Sequence, residues 1–468
     1  MFEITPDFEL KSKIPLYIQL ADYIKREISN GNISGGEKLP SKRNLSTYLG
    51  LSINTIQASY DQLIAEGYVK SLPRKGLYVT KLEEKIYERK VEAPKKQKID
   101  NGKENLKIKI DFSSGKVDLE NFPYSLWRKL TIESIYADRG ELFYTGDPQG
   151  EQLLREEIAK YLFESRGVRC SGDQIVLGAG TQLLIGLLCL VIGKEYLYAI
   201  EEPGFHRTRE VLRDQSLEVV PIPLDQDGIC MNSLKSSRAR IVYVTPSHQF
   251  PYGMVMPVSR RMELLNWAEE MDGYIIEDDY DGEFRYKGKP IPSLQGLDIN
   301  ERVVYLGTFS KSLIPSIRIS YLVLPKPLLI KYKQYFTVYK QTVSRLHQDT
   351  LFRFMSQGHW ERHLNKMRTL YRKKHNVLLT SIEKYMGNSV TIIGERAGLH
   401  ILIRVKNEMS EKELVETALT KGVRVYPVSI YYRNFVKTQN SLILLGFGGL
   451  TLTEIEEGIR ALKYCWHI

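Results

Sequence analysis

Long hydrophobic runs are absent from this sequence, and cysteines are few. No apolar segment reaches the roughly 18 residues that a membrane-spanning helix needs. The most apolar stretch, residues 183–192, has only the length of a buried helix. The N-terminal residues lack the apolar core of a signal peptide, and the four cysteines lie too far apart to form a C-x-x-C unit. We therefore expect a cytoplasmic protein with reduced thiols and no membrane partner.

The composition is that of a folded, moderately basic protein. The 468 residues suggest about three domain-sized units. Hydrophobic residues make up 43% and charged residues 26% of the chain, which is ordinary for globular proteins. Lysine and arginine number 66 against 56 acidic residues, a net charge of +10. This excess of positive charge is compatible with an anionic partner.

One segment divides the chain into a small head and a large body. Residues 83–109 are dense in charge, nearly free of large apolar side chains, and contain Pro94 and Gly102. Such a segment buries too little surface to offset the entropy of ordering it. We therefore predict a head at residues 1–82, a charged linker at 83–109 and a body at 110–468.

The head has the pattern of a winged helix-turn-helix. Pro15 can open a first helix, Ser41 can cap a second that ends at Gly50, and Ser52 can cap a third. Two short helices joined through a glycine have helix-turn-helix spacing. A hairpin with a basic tip, turning at residues 73–76, follows as the wing.

The head also carries side chains suited to DNA. Polar groups on the third helix can reach base edges, and basic groups on the second helix and wing can contact phosphates. The predicted base contacts are Asn54, Thr55, Gln57 and Ser59, and the predicted phosphate contacts are Lys42, Arg43, Arg74 and Lys75. The alternative is a three-helix protein-interaction module. The run Leu39-Pro-Ser-Lys-Arg-Asn-Leu45 resembles the L-P-S-x-R-x-L pattern of the GntR family head, which favours DNA binding.

The body alternates short apolar runs with helical patterns. The runs lie at residues 174–177, 195–200, 241–244, 274–276 and 303–306, and most are followed at once by Gly, Pro, Ser or Asp. This alternation predicts an α/β body with a mostly parallel sheet. Ligands in such sheets bind beyond the carboxyl ends of the strands, so site residues are expected just after these runs.

Four of these after-strand segments carry groups that suit one cofactor. Lys311, beside Ser310 and Arg318, fits either a solvated basic surface or an aldehyde-binding amine next to a phosphate. Asp278 can cap a helix or keep a pyridine nitrogen protonated. The other two segments supply a glycine turn before a helix, typical of phosphate binding, and an aromatic ring able to stack on a flat cofactor. They are Gly178-Ala-Gly180-Thr181-Gln182 and Glu202-Pro-Gly-Phe205.

The body resembles fold-type I aminotransferases in the order of its motifs. These are Tyr144-Thr-Gly-Asp-Pro-Gln-Gly150, Gly178–Gln182, Glu277-Asp-Asp-Tyr-Asp281 and Ser310-Lys-Ser312. A GntR-like head joined to such a body resembles the MocR subfamily of transcriptional regulators. The resemblance implies pyridoxal 5'-phosphate as cofactor, with an internal aldimine on Lys311, Asp278 at the pyridine nitrogen and Tyr280 at the ring hydroxyl.

The same resemblance implies the remaining contacts of the cofactor. Its phosphate would be held by Gly180, Thr181, Ser310 and Arg318, and its ring would stack on Phe205. Tyr144 would reach the phosphate of the partner subunit, which implies a homodimer. In the family this dimer is head-to-tail.

The body departs from the aminotransferase pattern at three places. Phe250 replaces the usual Asn before Pro, so His248 or Gln249 is the candidate replacement for the bond to the ring hydroxyl. The usual Arg-x-Gly-Tyr reads Arg-Ile-Ser-Tyr at residues 318–321. Residues 445–450 lack the arginine that grips a substrate carboxylate. Arg207 and Arg433 are the candidates for an effector carboxylate clamp, and His248 is a further candidate effector contact.

The sequence therefore predicts a regulator whose head binds operator DNA and whose body senses a small molecule. Either an amine displaces Lys311 from the cofactor, or occupancy by the B6 vitamer is itself the signal. The alternatives are an active aminotransferase carrying a DNA-binding head, with at most slow transamination expected because the carboxylate grip is missing, and an empty scaffold. The pair His359 and His363 lacks a third ligand motif, and no metal is predicted.

Overall fold

The computed structural model describes residues 4–9, 12, 14–81, 108–137, 140–286, 291–433 and 441–468. The chain forms two compact units, one ending at Gly102 and the other beginning at Lys103. The predicted linker lies outside the described residues except for its last two positions. The Lys109 N–H donates to the Gly422 carbonyl at 2.8 Å, so this residue is already held by the body.

Three helices and a hairpin form the described head. They are Leu16–Ser29 (α1), Lys42–Leu49 (α2), Ile53–Ala65 (α3), Val69–Leu72 (β1) and Gly76–Val79 (β2). As predicted, the Ser41 hydroxyl caps α2 by accepting from the Asn44 N–H, and Ser52 caps α3 through the Thr55 N–H. Gly50 ends α2 with φ of 66°, a backbone conformation that costs glycine little.

A mostly parallel sheet occupies the centre of the body. Among the described residues it has eight strands in the order β4-β11-β10-β9-β8-β5-β6-β7. They are Ile175–Gly178 (β4), Tyr198–Glu202 (β5), Val219–Asp225 (β6), Gly228–Ile229 (β7), Ile241–Val244 (β8), Tyr274–Asp279 (β9), Val303–Thr308 (β10) and Ser320–Val323 (β11). Strands β10, β9, β8, β5 and β6 run parallel, whereas β11 is antiparallel to both of its neighbours.

Smaller sheets complete the body. The short strands Ile110–Asp111 (β3) and Val423–Arg424 (β14) pair in parallel. An antiparallel sheet of order β12-β13-β16-β15 follows. Its strands are Val390–Ile393 (β12), His400–Val405 (β13), Tyr426–Pro427 (β15) and Leu442–Gly446 (β16).

Helices cover both faces of the central sheet. The described helices of the body, in chain order, are Tyr124–Ala137 (α4), Gln152–Arg166 (α5), Thr181–Ile192 (α6), His206–Asp214 (α7), Met231–Ser236 (α8), Val258–Glu270 (α9), Lys326–Tyr335 (α10), Arg345–Ser356 (α11), His359–Met386 (α12), Glu411–Thr420 (α13) and Leu452–Cys465 (α14). Of these, α13, α14 and the C-terminal part of α12 pack against the antiparallel sheet instead. Helix α6 packs Leu184 and Leu188 against Ile276 and Leu306 of the central sheet. No helix of the described residues is long and apolar enough to cross a bilayer.

The parallel pairing places the predicted site segments together. The carboxyl ends of β5, β8, β9 and β10 meet at one edge of the sheet, as in other α/β proteins. The segments that leave these strands contain Phe205, His248, Tyr280 and Lys311. The predicted mostly parallel α/β body is therefore confirmed.

Candidate functional site

A cavity of about 450 Å³ opens at this edge of the sheet. Seven of the nine predicted cofactor residues line it: Phe205, Thr181, Asp278, Tyr280, Ser310, Lys311 and Arg318. The Lys311 amine donates a hydrogen bond to the Ser114 carbonyl. Removal from bulk water lowers the pKa of this amine, with a smaller lowering effect from Arg207 and an opposing one from Asp281. A lowered pKa favours the neutral, nucleophilic form of lysine.

A buried carboxylate forms one end of the cavity. The Tyr243 hydroxyl donates to Asp278 Oδ2, and Oδ1 is buried without a hydrogen-bond partner among the described residues. Burial raises the pKa of Asp278 to about 7. The neighbouring acids are engaged elsewhere, since Asp279 pairs with Arg166 at 2.6 Å and Glu277 accepts backbone N–H groups. Asp278 is thus the acid of this strand that is open to a ligand.

An anion cradle forms the other end. Gly180 precedes α6 with φ of 104°, and a Cβ at this position would collide with the Arg318 guanidinium. Helix α6 begins at Thr181, so its free N–H groups face the same region. The Ser310 hydroxyl oxygen is buried and has no partner among the described side chains. A guanidinium, a hydroxyl and a helix N-terminus are the groups that bind phosphate in proteins.

An aromatic cluster forms the wall between the two ends. The Phe205 ring stacks on Phe250 with ring centroids 4.1 Å apart and meets Tyr280 edge-on at 4.9 Å. One face of Phe205 is therefore covered by protein, and the other is available to a flat ligand.

The structure distinguishes the two candidates for the missing asparagine. The Gln249 amide donates to the carbonyls of Pro203 and Phe250, at 3.0 and 2.6 Å, and its oxygen accepts from the Tyr252 N–H. The polar atoms of this side chain are therefore already bonded to Pro203 and to the loop of Gln249 itself. His248 Nδ1 instead lies 2.9 Å from the Tyr280 hydroxyl. His248 is not among the described residues that line the cavity, so it reaches a ligand there only through Tyr280.

The two arginines predicted to bind an effector carboxylate lie in different pockets. Arg207 lines the cavity, whereas Arg433 lies beside β6, where its guanidinium donates to the Val219 carbonyl at 3.2 Å. Arg433 borders a different pocket, together with Arg209 and Arg213. Of the two candidates, only Arg207 lines the cavity that contains Lys311.

Two further predicted cofactor residues lie outside the lining. Gly180 acts by leaving room for Arg318. The Tyr144 side chain is 70% exposed and is not among the described residues around this cavity. In a single chain, the Tyr144 side chain is therefore accessible to another molecule.

The DNA-contact candidates are mostly on the surface of the head. Arg43, Asn54, Arg74 and Lys75 are exposed, and Lys42, Thr55 and Gln57 are half-buried, with Lys42 donating to the Gln57 amide oxygen. Ser59 is 0% exposed, so its placement on the solvent side of α3 was wrong. It lies three and four residues from Ile56 and Leu63, and helical periodicity therefore places it on the core face.

Sequence reasoning missed three groups at the site. Tyr243 was assigned only to a strand, Ser114 was not considered, and His400 also lines the cavity. The tyrosine within the otherwise aliphatic run Ile241–Val244 was the available signal for the first. His359 and His363, the histidine pair considered in the sequence, make separate contacts. His363 bonds the Ser312 carbonyl at 2.9 Å, and His359 lies against Arg362.

Comparison with known proteins defines the class. Residues 16–79 match the family of bacterial regulatory proteins called gntR, and residues 107–462 match aminotransferase class I and II. A helix-turn-helix head on an aminotransferase-like body defines a class of transcriptional regulators. The chain belongs to the MocR subfamily of GntR-type regulators.

Two relatives and one solved structure illustrate this membership. The chain is 45% identical to the HTH-type transcriptional regulator YdeL of Bacillus subtilis (strain 168), over 100% of both chains. It is 30% identical to the probable rhizopine catabolism regulatory protein MocR of Rhizobium meliloti, over 96% of this chain and 93% of that one. The Pyrococcus horikoshii kynurenine aminotransferase superposes with a TM-score of 0.67 and 26% identity, covering 77% of this chain and 91% of that chain.

Proposed function

We propose that this transcriptional regulator binds operator DNA through its head and holds pyridoxal 5'-phosphate covalently through Lys311 of its body. A small amine or the B6 vitamer itself would be the signal. The observation that carries this proposal is that one cavity of the described residues combines a lysine amine, a buried carboxylate and an anion cradle.

The unpartnered polar atoms of the cavity fit this cofactor. Asp278 Oδ1 and Ser310 Oγ are both buried without partners among the described residues. A protonated ring nitrogen would pair with the first, and a phosphate oxygen would accept from the second. The aminotransferase from Pyrococcus horikoshii with a similar body was crystallised in complex with PMP, which supports a cofactor of this class.

When bound, pyridoxal phosphate supplies an aldehyde and an electron-accepting ring. The Lys311 amine, whose pKa is lowered by burial, is the group that would hold the cofactor at its aldehyde carbon, the aldehyde oxygen leaving as water. Asp278 would hold the proton on the ring nitrogen, and the Tyr280 hydroxyl would donate to the ring oxygen. Arg207, which lines the same cavity, would bind an anionic group of the effector.

We also propose a head-to-tail homodimer in which Tyr144 reaches the partner's phosphate cradle. The exposed position of Tyr144 supports this arrangement. Helix α4 also exposes Tyr124, Ile132, Ile135 and Tyr136, and an apolar face of this kind is typical of subunit contacts.

Replacement of Lys311 tests the proposal directly. The wild-type protein incubated with pyridoxal phosphate is expected to show a visible absorbance band, and Lys311→Ala is expected to lose it. Lys326→Ala, which removes an exposed lysine from α10, is the control and should keep the band. A wild-type protein without the band, or a Lys311→Ala variant with the full wild-type spectrum, would contradict the proposal.

A further inference from the structure

His248 and Asp281 form a buried pair beside Tyr280. The Nδ1 atom of His248 lies 3.0 Å from both carboxylate oxygens of Asp281 and 2.9 Å from the Tyr280 hydroxyl oxygen. The two paired side chains are each 2% exposed. One nitrogen therefore faces three oxygens, and the position of its proton decides how all three are bonded.

The surroundings place that proton on Nδ1. A bare Nδ1 would direct its lone pair at two carboxylate oxygens, which is repulsive. The proton would then sit on Nε2, which is buried and has no hydrogen-bond partner among the described residues, and an unpaired buried N–H is costly. With the proton on Nδ1, His248 donates to Asp281, and the carboxylate stabilises this tautomer.

The same proton sets the role of Tyr280. Because Nδ1 carries a hydrogen, the Tyr280 oxygen can only accept from it, and the phenolic proton must point elsewhere. We propose that Asp281 holds the His248 proton on Nδ1, and that His248 thereby acts as a positioning residue that directs the Tyr280 hydroxyl proton into the Lys311 cavity. The acceptor there would be the ring oxygen of pyridoxal phosphate, so this inference rests on the proposed function.

The packing holds the His248 ring in this position. A Cβ on Gly398 would collide with the ring, and a Cβ on Gly253 would lie 3.1 Å from Nε2. The His400 ring lies beside it, with centroids 5.1 Å apart. Burial, followed by the proximity of His248, lowers the pKa of His400 to about 3, so this neighbour is neutral and donates to the Pro251 carbonyl through Nε2.

The other ionisable groups near Tyr280 do not compete for the Nδ1 proton. They include Lys311, whose amine donates to the Ser114 carbonyl, and Asp278, Glu201 and Tyr243. Asp278 accepts from the Tyr243 hydroxyl. Glu201 accepts from the Thr245 hydroxyl at 2.7 Å. His248, Asp281 and His400 also bring possible metal ligands within 4.8 Å of one another, but the hydrogen bonds above account for their arrangement.

The tautomer of His248 can be measured without any cofactor. In the cofactor-free full-length protein labelled with ¹⁵N-histidine, NMR should show His248 protonated on Nδ1, and its signals should be assigned by their loss in His248→Gln. Asp281→Asn should shift the population toward Nε2 protonation, because the carboxylate is gone. A bare Nδ1 in the wild-type protein would overturn the inference.

The consequence for Tyr280 is measured on the protein loaded with pyridoxal phosphate. A donor to the ring oxygen lowers its basicity, so Tyr280→Phe should raise the pH midpoint of the visible band by more than about one unit. His248→Phe should raise it by about half to one unit, and His248→Gln, which keeps an N–H donor, should return it toward the wild-type value.

A double variant separates positioning from general damage to the pocket. If His248 acts through Tyr280, adding His248→Phe to Tyr280→Phe should leave the midpoint of the single Tyr280 variant unchanged. An equal shift in both backgrounds, or an unshifted His248→Phe, would overturn the inference. A wild-type protein without a visible band would instead defeat the proposed function, and the NMR result would still decide the position of the proton.

Discussion

Asp278 is a residue whose burial costs stability when no ligand is bound. Its pKa is raised from 3.8 to about 7 by burial. The folded cofactor-free protein therefore holds more protons than the unfolded chain between about pH 4 and 7, and its stability falls as the pH rises through that interval. Asp278→Asn removes this cost, so the cofactor-free variant should be more stable than wild type at pH 8 by about 1–3 kcal/mol.

Urea unfolding of the cofactor-free proteins at pH 5 and pH 8 checks this expectation. The advantage of Asp278→Asn should shrink at pH 5, where the wild-type carboxyl is mostly protonated, and the variant should bind pyridoxal phosphate poorly. Asp214→Asn, an exposed position at the end of α7, is the control and should change neither property. A variant less stable than wild type at pH 8 would show that Asp278 is not an uncompensated buried charge.

The acids around Asp278 show where sequence reasoning reaches its limit. Four acids lie within residues 277–281, and only the family resemblance singles out Asp278 among them. Strand alternation explains why Asp278 faces away from its neighbours. The partner of Asp279 is Arg166, 113 positions away, and no local pattern predicts such a pair. The proposed role of His248 likewise depends on its contact with Tyr280, which is 32 positions away in the sequence.

At the scale of one element, the turn before α6 is proposed to hold the phosphate of the cofactor. Gly180→Ala would place a methyl group against the Arg318 guanidinium at a positive φ that disfavours alanine. We expect at least tenfold weaker binding of pyridoxal phosphate, on the order of 1.4 kcal/mol or more. Fluorescence titration of the cofactor-free protein measures this loss.

Gly186 in the same helix is the matched control. A Cβ there would meet only the Gln215 amide at 3.8 Å, and alanine is the better helix former. Gly186→Ala should therefore bind the cofactor as wild type does and be slightly more stable. Equal cofactor affinity for both alanine variants would remove Gly180 from the phosphate site.

The helix-turn-helix offers a test at the same scale. Arg43 is exposed at the start of α2 and is predicted to contact a phosphate. Arg43→Ala should weaken binding to an operator selected from random duplexes and reduce the slope of log K against log salt by about one. Arg43→Lys should keep most of that slope, and neither variant should change the visible spectrum. An unchanged salt slope in Arg43→Ala would refute the phosphate contact.

Elements with local signals were predictable, and elements that depend on distant pairing were not. The N-cap residues Ser41 and Ser52 are recognisable in the sequence, and the helices that they cap begin where expected. The antiparallel sheet formed by β12, β13, β15 and β16 was not predicted, because its strands are joined by pairings such as His400 with Gly446. The antiparallel placement of β11 between two parallel strands escaped prediction for the same reason.

At the scale of the whole molecule, sensing requires that effector and operator bind with coupled free energies. An amine that binds every state of the protein equally well changes nothing, however tightly it binds. By linkage, the factor by which an amine changes operator affinity must equal the factor by which operator changes amine affinity. We expect this factor to lie between about 5 and 150 for the natural effector.

Spectral titration with the amine that most alters the visible band, repeated with saturating operator, measures one factor. Operator binding with and without that amine measures the other, and the two should agree. Lys311→Ala should bind operator but lose the coupling, because the amine then has no covalently held cofactor to act on. Identical amine affinity with and without operator would mean that ligand binding in the body is not coupled to DNA binding by the head. The sensing role would then be refuted even if the cofactor were present.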